Sequence, residues 1–252
     1  LKSPHVARPE APIEGEDGML YLIEEPFKET LREKLKREGK LFIEETLKIA
    51  LQIAQGLKES HDYVEGQMIH RDLKPSNIGL DENGNVKLTD FGSLESMSRS
   101  PRDGDLSNIL YSAPEVLKGG KTTVKSNIYS VGVLLYEMLT GENLFAPRNE
   151  TGKLKPKPKE VGEERERYKR ETLENIARIG HLSLKQREKQ IMDFIEKNEI
   201  YNWYNQEGTW TSGLTFFITI ITGCIANAPE GRIYDSMIEL RGDIISLISY
   251  FE

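Results

Sequence analysis

The stretch His70-Arg71-Asp72-Leu73-Lys74-Pro75-Ser76-Asn77 (HRDLKPSN) decides how the rest of the chain is read. It places the cations Arg71 and Lys74, the carboxylate of Asp72 and the amide of Asn77 in one short segment. Pro75, Ser76 and Asn77 favour turns, so the segment reads as a loop. Downstream, Asn83-Gly84 marks a tight hairpin, with Val86 and Leu88 on its second strand. That strand leads into Asp90-Phe91-Gly92, which supplies a second carboxylate. Carboxylate and amide oxygens are the hard donors that Mg²⁺ prefers.

Working outward, the flanks read mostly as helices. Before the loop, Glu44 to His61 carries Leu47, Ala50, Leu51, Ala54 and Leu57 at helical spacing. Thr30 to Glu38 is a charged amphipathic helix ended by Gly39, and Met19 to Ile23 is a short strand. After it, Ser93 to Ser112 is a serine-rich loop, and Ile128 to Leu139 is a helix apolar on all sides, stopped by Gly141. Arg148 to Lys159 reads as an exposed linker and Glu160 to Arg178 as a solvated charged helix. Helices over Ser183 to Lys197, Thr211 to Ala226 and Ile233 to Phe251 follow. Strands first and helices after give an α+β class, an α-rich body with a small β front.

Composition bounds the partners. The 34 Lys and Arg against 41 Asp and Glu leave a net charge of −7, which disfavours a broad nucleic-acid footprint. The single cysteine, Cys224, excludes an internal disulfide framework and suits a reducing compartment, so an intracellular, cytoplasmic location is expected. The apolar run from Leu214 to Ala226 is shorter than the roughly 20 residues a bilayer requires, and reads as a core helix. No membrane partner is expected, and nothing indicates an oligomeric state. His5, His61 and His181 lack a second ligand at metal-binding spacing. Cys224 reads as inert packing, and the aromatics of Tyr201 to Trp210 as anchors of a loop to the core. The first residue is Leu1 rather than methionine, so the chain is expected to be a piece of something longer.

The chemistry follows from the donor set. Phosphoryl transfer asks the protein for little covalent help. It needs metal ions against the phosphates, a group that orients the attacking hydroxyl, and positive charge near the transferring group. Asp72 suits the hydroxyl, Lys74 the charge, and Asn77 and Asp90 the metal.

HRDLKPSN, with Asp90-Phe91-Gly92 and Ala113-Pro114-Glu115, resembles the eukaryotic-type serine/threonine protein kinases. Ser126 to Gly141 is similar to that family's central buried helix, and Cys224 to Arg232 to the segment whose arginine pairs with the glutamate of Ala-Pro-Glu. The resemblance implies a protein-kinase-like fold: an N-lobe remnant over residues 1–25, with the last strands and the hinge, and a mainly helical C-lobe over 26–252. An extended charged insertion falls at about 146–208 of the chain. It implies transfer of the γ-phosphoryl of ATP, with Mg²⁺, to Ser or Thr hydroxyls of a protein substrate. By resemblance Asp72 is the catalytic base, Lys74 contacts the γ-phosphate, and Asn77 and Asp90 hold Mg²⁺. Glu25 and Phe27 of the hinge join Lys74, Asn77 and Asp90 in holding the nucleotide. Arg71 would receive a phosphate from the loop Phe91 to Tyr111, where Ser96, Ser98 and Ser100 are candidate acceptors beside Ser93 and Ser107. His70, Phe91, Gly92, Glu115, Asn127 and Arg232 are structural, with an Arg232–Glu115 ion pair expected.

The departures from the family pattern concern the nucleotide. No Gly-rich phosphate loop, strand lysine or paired helix glutamate is found in these residues. Pro26 lacks an N–H, which removes a hinge donor. Glu24 stands at the position that gates the back of the pocket, and Pro9 where the internal spine has leucine. Gly79 supplies no apolar floor for the base. Asn127 replaces an aspartate, and its amide oxygen is expected to accept a backbone hydrogen bond from the loop at 70–77, at a loss of about 1–2 kcal/mol. The chain alone is expected to have little kinase activity. The alternative reading is a catalytically impaired, pseudokinase scaffold. A small-molecule phosphotransferase is disfavoured by the Ala-Pro-Glu segment.

Overall fold

In the computed structural model the chain is built around helix α5 (Val124–Thr140), in which every residue from Ser126 to Thr140 is buried. A helix apolar on all sides has to be enclosed by other elements. Here α2 (Ile43–His61), α8 (Ser212–Cys224) and α9 (Met237–Phe251) pack around it. The α5–α8 approach depends on Gly132, where a Cβ would lie 2.5 Å from the Cys224 Cβ and 2.9 Å from an Ile225 methyl. Gly141 ends α5 in the left-handed conformation, φ 76°, and donates to the Glu137 carbonyl at 2.8 Å. The structure describes residues 3–8, 13–14, 17, 19–21, 24–63, 68–91, 106–197, 212–226 and 228–251. The aromatic cluster of Tyr201 to Trp210 lies outside them, as does Pro9.

The β part is small. Strands β1 (Ile13–Glu14) and β2 (Leu20–Tyr21) form an antiparallel pair. A second antiparallel sheet has the order β3 (Glu29–Thr30), β4 (Ile78–Leu80), β5 (Val86–Leu88), with the hairpin at Asn83-Gly84 joining the last two. Thr30 also caps α1 (Leu31–Glu38): its hydroxyl accepts from the Glu33 N–H while the Glu33 carboxylate accepts from the Thr30 N–H at 2.7 Å. The front segment lies on this sheet. Leu88 N–H donates to the His5 carbonyl at 2.8 Å, and Ala7 N–H to the Leu88 carbonyl at 2.9 Å. Gly56 of α2 permits this approach, since a Cβ there would lie 3.1 Å from the His5 Cβ.

Between α5 and α8 come α6 (Glu163–Gly180) and α7 (Leu184–Lys197). Two sequence expectations are refined here. Arg148 to Lys159 is largely exposed, as expected, but it is tied down: Arg148 and Leu154 form an antiparallel bridge. Arg148 holds Glu142 at 2.6 Å, and Lys155 holds Glu171 of α6 at 2.7 Å. Helix α6 is solvated on one face only and buries Tyr168, Thr172, Ile176 and Ile179. Those four recur every three or four residues, a stripe the interleaved charges conceal. Among the described residues no helix is long and apolar enough to cross a membrane. The short helices α3 (Leu106–Ile109) and α4 (Pro114–Leu117) precede α5. The result is an α+β molecule, a helical body behind a small β front.

Candidate active site

The loop from His70 to Asn77 runs between the end of α2 and β4. A 3₁₀ turn over Pro75–Asn77 delivers Asn77 to the start of β4. Thr89 N–H donates to the Asn77 carbonyl at 3.0 Å, tying the end of β5 to the loop and bringing Asp90 beside Asn77 in the backbone path. The Asn77 Nδ2 donates to the Asp72 carbonyl at 2.9 Å and to its Oδ2 at 3.2 Å. Lys74 Nζ stands 2.7 Å from the same Oδ2. Asp72, Lys74 and Asn77 are thus one hydrogen-bonded cluster, with Asp72 partly open at 26% side-chain exposure.

Among the described residues two non-glycine residues have positive φ, Arg71 at 20° and Asp90 at 60°. Such conformations carry strain and persist where surrounding contacts over-determine them, commonly at functional sites. Asp90 is exposed and Asn77 is buried. Asn77 Nδ2 is engaged by Asp72, and its Oδ1 accepts from the Ser76 hydroxyl at 3.4 Å; an amide oxygen and a carboxylate such as Asp90 are the hard donors that suit Mg²⁺. Among the described residues no three His, Cys, Asp or Glu side chains converge on a ready cation cage.

His70 is buried, and its ring packs against Phe91 with centroids 4.5 Å apart. Burial pushes its pKa down, against the opposing pull of backbone hydrogen bonding and of Asp72 and Asp90, so the ring is a neutral packing group. Arg71 is partly buried beside it. Gly92, Ser93, Ser96, Ser98 and Ser100 lie outside the described residues, as does the side chain of Ser107.

Arg232 meets Glu115 in a bidentate pair at 2.8 and 2.6 Å. The guanidinium also donates to the Lys125 and Ala226 carbonyls and lies over the Tyr129 ring, 5.0 Å from its centroid. Burial pushes the Glu115 carboxyl up, but the Arg232 hydrogen bonds and charge pull harder, and its pKa ends below the ordinary glutamate value.

Asn127 has a partner the motifs do not indicate: its amide nitrogen faces His61 Nε2 at 2.9 Å, on α2. Burial and the nearby His70 outweigh Asp62 and lower the His61 pKa to about 4, so His61 is neutral and free to accept. The hinge also differs. The Glu25 N–H donates to the Arg8 carbonyl at 3.2 Å and its carboxylate holds Lys87 at 2.8 Å, so this hinge donor is committed within the protein. Phe27 presses its ring onto Gly79, so the expected bare floor is covered.

Two features escaped the motifs. Asn108 of α3 accepts from Lys74 Nζ at 2.7 Å, a second anchor for that lysine. Tyr111 is buried, donates to the Glu137 carboxylate of α5 and accepts from Arg32 of α1, while Arg32 holds Glu137 at 2.7 Å. Burial pushes the Tyr111 hydroxyl pKa well up, so it remains a donor. These contacts pin the end of the loop preceding Ala113-Pro114-Glu115 to the central helix. The only signal in sequence was polar residues within apolar surroundings, which does not name a partner.

Comparison with known proteins agrees with this arrangement. The family model described as protein kinase domain matches residues 1–233. The chain is 39% identical over 136 residues, 52% of its length, to serine/threonine-protein kinase PrkC of Bacillus subtilis (strain 168). It is 37% identical over 139 residues, 51% of its length, to calmodulin-binding receptor-like cytoplasmic kinase 3 of Arabidopsis thaliana. The matches span 20% and 27% of those relatives' own lengths. With a family match across nearly its whole length, the chain belongs to the protein kinase family.

Proposed function

We propose that the chain carries the phosphoryl-transfer centre of a serine/threonine protein kinase, moving the γ-phosphoryl of ATP to a Ser or Thr hydroxyl of a protein substrate. One observation carries the reading: Lys74 Nζ, Asp72 Oδ2 and the Asn77 amide meet within 2.7 to 3.2 Å on one loop. Asp72 is placed to accept a hydrogen bond from the substrate hydroxyl and orient its oxygen for in-line attack. Lys74, held by both Asp72 and Asn108, presents a fixed positive charge beside the transferring group. Asn77 and Asp90 would hold Mg²⁺, which neutralises phosphate charge when bound. The Tyr111–Glu137–Arg32 network fixes the wall on which a peptide substrate would rest. The lobe division near residue 25, the insertion at about 146–208, and the role of Arg71 as acceptor of a loop phosphate belong to the same proposal.

The test is transfer of labelled phosphate from Mg-ATP to a generic Ser/Thr protein substrate by the longest chain that contains this sequence. Asp72→Asn keeps the shape of the loop and removes the base. It is expected to lower transfer by about a hundredfold or more, the usual worth of a general base. Unchanged transfer in Asp72→Asn would refute the assignment.

A further inference from the structure

Helices α6 and α7 meet the end of α5 without filling the space between them. A cavity of about 460 Å³ remains there, within the roughly 300–1,000 Å³ of ligand pockets. Its floor is apolar: Tyr136 of α5, Ile179 of α6 and Ile191 of α7 line it, and all three are buried. Phe194 of α7 makes a partly open wall, with the Arg148 guanidinium over its ring, 4.8 Å from the centroid. No residue of the loop at 70–77 lines the cavity, so it stands apart from the cluster around Asp72. Arg148 and Lys155 form its lip and belong to a segment shaped by its own hydrogen bonds. The Asn149 amide oxygen accepts from the N–H groups of Thr151 and Lys153 at 3.1 and 3.0 Å, and Lys155 N–H donates to the Pro147 carbonyl at 2.8 Å. From Arg148 to Lys159 the segment has five cations and one carboxylate, Glu150, in a chain of net charge −7. Glu142 and Glu171 neutralise Arg148 and Lys155. Lys153 stays exposed, and so does Arg178 of α6, whose contact among the described residues is with the Asn175 amide oxygen at 3.5 Å. Among the described lining residues Glu174 is the acid left outside these pairs. An apolar floor beneath a cationic lip matches an acidic chain that carries a bulky apolar side chain.

We propose that this cavity and its lip dock an acidic segment of a partner protein. The segment seats one aromatic or branched aliphatic side chain on Tyr136, Ile179 and Ile191 and turns carboxylates toward Lys153 and Arg178. The seated side chain carries most of the affinity, as buried anchors do in interfaces generally. The cationic lip selects the sign of charge admitted and makes association salt-dependent. Docking here does not depend on the chemistry of the loop at 70–77.

The experiment incubates the 252-residue chain with an array of glutamate-rich peptides that differ in one central residue, beside a lysine-rich set of the same design. Affinities of the retained peptides are then read by fluorescence anisotropy. Retention is expected for glutamate-rich peptides with a central phenylalanine, tyrosine, tryptophan, leucine or isoleucine. Replacing that residue by alanine, or the glutamates by glutamines, should weaken binding by about tenfold or more. The double variant Lys153→Glu/Arg178→Glu reverses two exposed charges, and an unchanged urea midpoint shows that its fold is kept. It should bind the same peptides about tenfold or more weakly. Retention regardless of the central residue, tighter binding of the lysine-rich set, parental affinity in the folded double variant, or no retained peptide at all overturns the docking site.

Discussion

His61 closes α2 with its Nε2 2.9 Å from the Asn127 amide nitrogen. With Nε2 accepting, the neutral ring carries its proton on Nδ1. The unfolded chain takes up a proton on this residue below about pH 6.5, whereas the folded chain does so only near 4. Between those values the unfolded state binds more protons, so stability falls as pH drops from 6.5 toward 4. After allowance for partial exposure the loss is about 2 kcal/mol. Urea unfolding at pH 7 and pH 5 measures it, and His61→Gln should flatten the difference. Asn127→Asp should reduce it too, since a carboxylate facing the ring favours the imidazolium. A pH dependence identical in His61→Gln and parent would remove His61 as its source. Motif reading identified Asn127 as a departure, but its partner lies 66 positions away in the chain, and no local pattern records that.

At the scale of elements, glycines set how closely the helices approach. Gly132 on α5 faces Cys224 so tightly that a methyl group there would meet its Cβ at 2.5 Å. Gly132→Ala is expected to destabilise the fold by about 1–3 kcal/mol through overpacking. Gly242 on α9 faces open space, with nothing within 4 Å of where an added methyl group would stand. Gly242→Ala should therefore stabilise by about 0.5–1 kcal/mol through helix propensity alone. Urea midpoints of the two variants should move in opposite directions; a shared direction would mean propensity, and not packing, governs both. Most helices were legible from their spacing. Thr30 and Gly39 bound α1, and Gly141 stops α5, as their capping chemistry requires. The ties of Arg148 to Lys159 were not, because Pro and Lys in alternation signal exposure while saying nothing of the ion pairs to Glu142 and Glu171.

Across the whole molecule, the Arg232–Glu115 pair joins α4 to the segment after α8 over 117 positions of sequence. The Arg232 side chain is fully enclosed. Arg232→Ala strands the Glu115 carboxylate and removes the guanidinium from its carbonyl partners, at an expected cost of about 3–5 kcal/mol. The folded Glu115 titrates below its ordinary value of 4.5, so the pair's contribution is complete above that pH and fades as pH falls through the lowered folded value. Thermal unfolding at pH 7 measures the cost. A loss below about 1 kcal/mol would place this pair with exposed ion pairs.

The amino-acid sequence by itself determined the family, the loop that carries the chemistry and the central helix. It could do so because each is written in residues close together: HRDLKPSN and Asp90-Phe91-Gly92 around one hairpin, and an apolar run closed by Gly141. The Arg232–Glu115 pair was legible too, through resemblance at both ends. Only the tertiary structure decided that Phe27 covers Gly79, that Asn108 anchors Lys74, and that Asn127 faces His61. Each of these joins residues brought together by packing of separate elements, and spacing along the chain carries no record of which side chains then share a space.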